Sequence, residues 1–168
     1  GEVLTEDQAR TFMRELTPNV YNLYGSSEGG VDTALTPADL PEHAGTVGKP
    51  CNGVEIRVVE GASDGLPDPD ATVAQGTTGE IVLKTDQLFR GYYEDEPTTR
   101  ETVRDGWLFM RDVGYVTDDG YLKVTGRADD MSVSGGELIS PVDVERALEA
   151  HADVTGAVAV GVDDPEWG

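Results

Sequence analysis

The chain reads as an α+β protein rich in strands, and three features predict it. Polar and apolar residues alternate through Val54–Val59 and again from Gly79 to Lys84, within residues 45–124, where the pattern is β throughout. Asp118-Asp119-Gly120 sits between Tyr115-Val116 and Tyr121-Leu122-Lys123-Val124, where a glycine-containing turn between two β-formers signals a hairpin. After Gly126 the texture changes to a helix pattern followed by an apolar strand, the opening of a second α+β unit.

The elements follow in order. Residues 5–16 predict a helix, with Thr5 as cap, Gln8 three positions on, and Phe12, Met13 and Leu16 as its apolar stripe; Pro18 stops it. Residues 20–24 predict a short strand running into Gly25-Ser26-Ser27-Glu28-Gly29-Gly30, a flexible loop. Gly, Pro, Asp and Ser crowd residues 61–76, which therefore form a surface loop. Met131-Ser132-Val133 predicts a strand and Gly135-Gly136 a turn. Residues 141–150 predict a helix starting at Pro141, with Val142, Val144, Ala147 and Leu148 as its stripe. Val158-Ala159-Val160-Gly161-Val162 is apolar on both faces, as a central strand would be.

Composition bounds the function. With 33 acidic residues against 12 basic ones, the 168-residue chain carries a net charge of −21. Nucleic acids and anionic membranes are recruited by clustered Lys and Arg, so neither is an expected partner. The excess of acid resembles proteins from salt-loving microbes, whose cytoplasm screens such self-repulsion. Cys51 is the single cysteine, which excludes an intrachain disulfide and a cysteine-based metal site, and His43 and His151 stand alone. No apolar run reaches the length of a membrane span and Gly1 opens without a signal-peptide pattern, so the expected setting is cytoplasmic.

Three constellations carry chemistry. In Asn22-Leu23-Tyr24-Gly25-Ser26-Ser27-Glu28 an aromatic offers a face to a purine, glycine admits a close ligand, hydroxyls donate to phosphate and a carboxylate can hold magnesium. Asp112, ahead of Val113-Gly114-Tyr115, is the kind of acid that accepts from two ribose hydroxyls. In the run from Gly126 to Glu137, Arg127 brings five fixed donors to a predicted domain boundary, followed by Asp129, Asp130 and the Gly135-Gly136 pair. Taken singly, each also fits an ordinary turn, a capping acid or a polar linker.

Their order is more specific. Together with Gly45-Thr46-Val47-Gly48-Lys49-Pro50, Gly79-Glu80-Ile81 and Arg90-Gly91-Tyr92-Tyr93, they resemble the adenylate-forming superfamily of acyl-CoA synthetases, peptide-synthetase adenylation domains and luciferases. The resemblance spans essentially the whole chain. It implies that residues 1–128 are the C-terminal part of a large AMP-binding domain, ending in a distorted β-barrel over about 45–124. Residues 129–168 would begin a small α+β C-terminal domain. Asn22, Tyr24, Gly25, Ser26, Ser27, Glu28, Asp112 and Arg127 would bind ATP or AMP: Tyr24 on the adenine, Ser27 at the α-phosphate in place of the usual threonine, Glu28 on Mg2+, and Asp112 and Arg127 at the ribose. Asp129 matches the hinge, and Gly135, Gly136 and Glu137 the loop lining the CoA tunnel.

Where the family writes Thr-Gly-Asp, this chain has Met110-Arg111-Asp112, which puts bulk and charge beside the nucleotide. Ser134-Gly135-Gly136-Glu137, followed by Ser140-Pro141-Val142-Asp143, favours CoA ligases over carrier-loading adenylation domains, which are the alternative together with a non-catalytic interaction module of the same fold. The expected substrates are a small-molecule carboxylic acid, ATP and CoA. The family's phosphate loop and catalytic lysine would lie outside residues 1–168. The isolated chain is accordingly expected to be inactive, with the edge of a truncated sheet at Val158-Val162 inviting self-association.

Overall fold

The computed structural model describes residues 4–62, 65–134, 137–162 and 164, with side chains at all of these but 41, 132, 133, 137 and 138. Helix α1 (Glu6–Glu15) starts where the sequence places it. Thr5 and Gln8 form a reciprocal capping box, the Gln8 N–H donating to Thr5 Oγ1 at 3.3 Å and the Thr5 N–H to Gln8 Oε1 at 3.0 Å. Its buried face differs from the expected stripe: Ala9 and Met13 pack inward, whereas Phe12 and Leu16 are exposed.

Strands β1 (Asn22–Ser26) and β2 (Gly30–Leu35) form an antiparallel hairpin, and β3 (Lys49–Pro50) adds to β2. Half of the predicted loop is therefore strand, with Ser27-Glu28-Gly29 left as the turn. Between β2 and β3 lies the short helix α2 (Leu40–His43). It is tied to the 117–121 turn by His43 stacked on Tyr121, with centroids 3.6 Å apart, and by the Tyr121 hydroxyl donating to Asp39 at 2.8 Å.

A larger sheet follows. It contains β4 (Val54–Val59), β5 (Gly79–Thr85), β6 (Val103–Arg104), β7 (Trp107–Val116) and β8 (Leu122–Arg127), all neighbours antiparallel. Strand β7 carries β5 along one edge and shares the other between β6 near its start and β8 near its end. Sequence alternation in β5 implied one solvated face, yet Ile81, Val82 and Leu83 are all buried. Ile81 and Leu83 join a core with Val58, Leu108 and Leu122, while Val82 packs on Val59, Trp107 and Phe109 across the opposite face. Both faces of this strand are covered.

Three expectations need correction. The described strands make open sheets and not a closed barrel: the two larger sheets meet through the single bridge Gly48–Leu122. Among the described residues no strand pairing joins the β4 edge to the β6–β8 edge, so the sheet stays open. The stretch read as all β also holds helix α3 (Glu96–Thr102), which Asp95 caps by accepting from the Thr98 N–H at 3.1 Å, with Pro97 in its first turn.

The third concerns the C-terminal segment. After β8 come a 3-10 turn (Ala128–Asp130), the ribbon of β9 (Ser132–Ser134) and β10 (Glu137–Ile139), and helix α4 (Pro141–Glu149), capped by Ser140. Val158, Val160 and Val162 form no strand and stand 84, 77 and 81% exposed. Apolar composition favours a strand only where a neighbour supplies ladder partners. Here the Ala157 and Ala159 N–H groups instead donate to Glu149 and Glu145 of α4. The sheet edge expected to drive self-association is therefore not formed among the described residues. Val144 and Leu148 of the expected α4 stripe are likewise exposed.

Candidate functional site

A cleft of about 630 Å³ opens between the β1–β2 hairpin, the end of β7, β8 and the start of α4. Its walls include Asn22, Tyr24, Gly25, Ser26, Glu28, Asp112 and Arg127, seven residues singled out from the sequence. Ser27 is exposed in the hairpin turn, and neither it nor Asp129 lines the cleft. Gly135 and Gly136 lie outside the described residues; Glu137 opens β10 opposite Ser134.

Local geometry explains the motif. Gly25 sits at a register shift in the hairpin, where a Cβ would lie 2.0 Å from the carbonyl oxygen of Gly30, so only glycine lets the strands approach. Ser26 Oγ accepts from the N–H groups of Glu28 (3.2 Å) and Gly29 (3.0 Å), closing the turn that presents Glu28. The Asn22 amide donates to the Thr46 carbonyl at 3.0 Å, fixing the base of β1 to the Gly45-Thr46-Val47 stretch.

Tyr24 and Asp112, 88 positions apart, meet through a 2.6 Å hydrogen bond from the phenol to Asp112 Oδ2. Burial, and then the neighbouring Asp112 carboxylate, push the Tyr24 hydroxyl far above its ordinary pKa, so it remains a donor at every working pH. The other carboxylate oxygen of Asp112 faces Arg127 Nη1 at 3.8 Å, its cross-strand partner on β8. That separation is too long for a hydrogen bond, and Arg127 Nη2 stands equally far, 3.8 Å, from Asp129 Oδ2.

Glu28 accepts from the Tyr92 hydroxyl at 2.7 Å, and that bond is the main reason its carboxyl titrates below the ordinary range. It is ionised at neutral pH and faces the cleft. Tyr92 is in turn held by α3, its N–H donating to Thr99 Oγ1 at 2.9 Å.

Sequence reasoning assigned no role to Tyr92 and did not pick out Arg146 of α4 as a cleft residue. Tyr92 stood in a quoted landmark, and the Asp95-Glu96-Pro97 cap signal could have placed the helix that supports it. No sequence signal marks Arg146, since its place depends on how α4 packs beside β8.

The Met110-Arg111-Asp112 departure has a structural reading. Glu80 pairs with Val113 and Val82 with Phe109, so three residues of β7 stand where β5 offers only Ile81. Arg111 occupies this bulge at φ +62°, a conformation that favours glycine. Bulges of this kind re-aim neighbouring side chains, here Asp112 toward Tyr24.

Comparison with known proteins identifies the family. The family model described as AMP-binding enzyme matches residues 1–93, more than half of the chain. The chain belongs to the AMP-binding enzyme family. Among its relatives in that family, the 2-succinylbenzoate–CoA ligase of Bacillus cytotoxicus is 39% identical over 89% of this chain and 30% of its own length. The sulfoacetate–CoA ligase of Cupriavidus necator is 36% identical over 98% of this chain and 31% of its own length. The chain thus spans about a third of the length of these AMP-binding relatives.

Among solved structures, the o-succinylbenzoate CoA synthetase of Bacillus subtilis in complex with its acyl-adenylate intermediate superposes with a TM-score of 0.84. Identity is 28%, over 100% of this chain and 33% of that one. An amide bond synthetase of Marinactinospora thermotolerans gives a TM-score of 0.83 at 29% identity, over 98% of this chain and 32% of that one. No helix among the described residues is long and apolar enough to cross a membrane.

Proposed function

We propose that this chain is the nucleotide-cradling part of an acid:CoA ligase. The whole enzyme joins a small-molecule carboxylate to ATP, the carboxylate oxygen displacing pyrophosphate from the α-phosphorus, and then passes the acyl group to the CoA thiol with loss of AMP. The observation that carries the reading is the Tyr24–Asp112–Arg127 cluster on one cleft wall of an AMP-binding family member. Both relatives named above are CoA ligases, which favours CoA as acyl acceptor. One structural neighbour is an amide bond synthetase, so the fold by itself does not fix the acceptor.

Each residue has a task in this reading. Tyr24 holds one oxygen of Asp112, leaving the other to accept from the ribose hydroxyls, and Arg127 reaches the same sugar. Asn22 and Tyr24 border the adenine, with Gly25, Ser26 and Ser27 toward the phosphates. Glu28 suits Mg2+: it is one ionised carboxylate facing the cleft, and this ion is commonly held by one or two carboxylates plus substrate phosphates. When bound there, the ion supplies positive charge to the phosphates. Residues 1–128 close the large domain and 129–168 begin the small one, with Asp129 as pivot and Gly135, Gly136 and Glu137 at the CoA tunnel.

Titration of the chain with AMP, followed by NMR, tests the site. AMP is expected to shift Tyr24, Asp112 and Arg127 saturably, and 2′,3′-dideoxy-AMP to bind about tenfold or more weakly, since hydrogen bonds to a charged group contribute about 1.5–3 kcal/mol each. Arg127→Ala should weaken AMP similarly. Equal binding of the dideoxy nucleotide would overturn the ribose assignment. In the whole enzyme, Asp129→Pro fixes φ at the pivot and should spare adenylation while abolishing thioester formation, assayed as separate half-reactions. An equal loss of both, with the fold intact by circular dichroism, rejects the pivot.

A further inference from the structure

Arg111 was expected to crowd the nucleotide, and although it borders the cleft its donors point elsewhere. Its Nη1 lies 3.4 Å from Oε2 of Glu80 on β5, and its Nε donates to Oδ1 of Asp129 in the 3-10 turn at 3.1 Å. The two acceptors differ in setting. Glu80 is 2% exposed, and its other carboxylate oxygen has no hydrogen-bond partner among the described residues. Asp129 is 55% exposed, with its other oxygen 3.8 Å from Arg127 Nη2, beyond hydrogen-bond reach. A buried carboxylate needs its cation, whereas an exposed one exchanges it readily for water and salt. The guanidinium is therefore anchored at one end and releasable at the other. The left-handed backbone of Arg111 supports the same arrangement, for it sits at the bulge against which the 3-10 turn packs.

We propose that Arg111 is a positioning residue that latches the turn after β8: anchored on Glu80, it holds Asp129 against the β7 bulge, and the segment beyond Arg127 reorients only when that arm lets go. The idea deepens the pivot assignment of Asp129 and rests on it for its catalytic meaning, though not for the contact itself. It also gives the arginine a task that glycine, the family's usual residue there, cannot perform. Released, the turn keeps only the longer 3.8 Å approach of Arg127 Nη2 to Asp129 Oδ2, while Glu80 keeps its counter-ion. Salt acts on the exposed arm and little on the buried one.

The test is amide hydrogen exchange on the chain, read at residues 128–131 against β5 amides as internal reference. Asp129→Asn leaves the core untouched and should speed exchange at 128–131 about two- to fivefold, the range of an exposed ion pair. Arg111→Gly should do the same, the Arg111→Gly/Asp129→Asn double variant should do no more than either alone, and Arg111→Lys should fall between. Should Arg111→Gly destabilise the whole sheet through Glu80, the Glu80→Gln/Arg111→Gly pair removes that charge and restores the comparison. Raising KCl toward 1 M should loosen wild-type residues 128–131 and leave Asp129→Asn unchanged.

Additive effects, a uniform rise that includes β5 in Asp129→Asn, or salt insensitivity overturn the latch. So does a several-fold loss of AMP affinity in Arg111→Gly with unchanged exchange, which makes the arginine a nucleotide ligand instead. Coupled exchange together with an Asp129→Pro enzyme impaired equally in both half-reactions leaves the latch standing and sinks only the pivot.

Discussion

Replacing Asp32 by asparagine is expected to raise the melting temperature at pH 7.5 by roughly 6–12 °C and to leave it nearly unchanged at pH 4. Asp32 lies in β2 with 0% exposure, and neither carboxylate oxygen has a hydrogen-bond partner among the described residues. Burial alone pushes its pKa from 3.8 to about 6. Because the folded state binds this proton more tightly than the unfolded one, stability is highest while the group is protonated. It falls as pH rises from about 4 to 6, and the loss is complete above that window. At 1.36 kcal/mol per unit the penalty reaches about 3 kcal/mol, which a neutral amide escapes. Differential scanning fluorimetry of both proteins from pH 4 to 8 checks this. A gain independent of pH would point to packing and not to buried charge.

The second large effect is at Asp112. Asp112→Ala takes the acceptor from the half-buried Tyr24 hydroxyl and should cost about 1–3 kcal/mol of folding stability. In the same variant AMP affinity should drop about 10- to 100-fold, the equivalent of one or two bonds to a charged acceptor. A double variant, Asp112→Ala/Tyr24→Phe, separates the two losses, since it leaves no stranded hydroxyl. Denaturation should show most of the stability restored, while calorimetry still finds AMP binding lost. Recovery of AMP binding in the double variant would mean that Asp112 only satisfies Tyr24 and does not hold the sugar.

Much of the framework was legible because its causes are local. A Thr5–Gln8 capping box, a period-2 run at Val54–Val59, a glycine turn at 118–120 and a proline opening α4 each specify an element from within a few residues. The ordered motifs resembled the family to which the chain belongs, and seven of the nucleotide-binding candidates they named share one cleft.

What failed depends on partners distant in sequence. Whether Phe12 or Ala9 faces inward is decided by what α1 packs on, and whether Val158 to Val162 pairs is decided by whether a neighbouring strand exists. Closure of the larger sheet likewise depends on the sum of strand number and tilt, which no single segment encodes. The pairing of Tyr24 with Asp112, the seat of Tyr92 on Glu28 and the reach of Arg111 from Glu80 to Asp129 span 88, 64 and 31 or 18 positions. Residue types and their order alone therefore pointed to the family. Only the tertiary structure could decide which carboxylate meets which donor, because hydrogen bonds and ion pairs act over a few ångströms of space, whatever the distance along the chain.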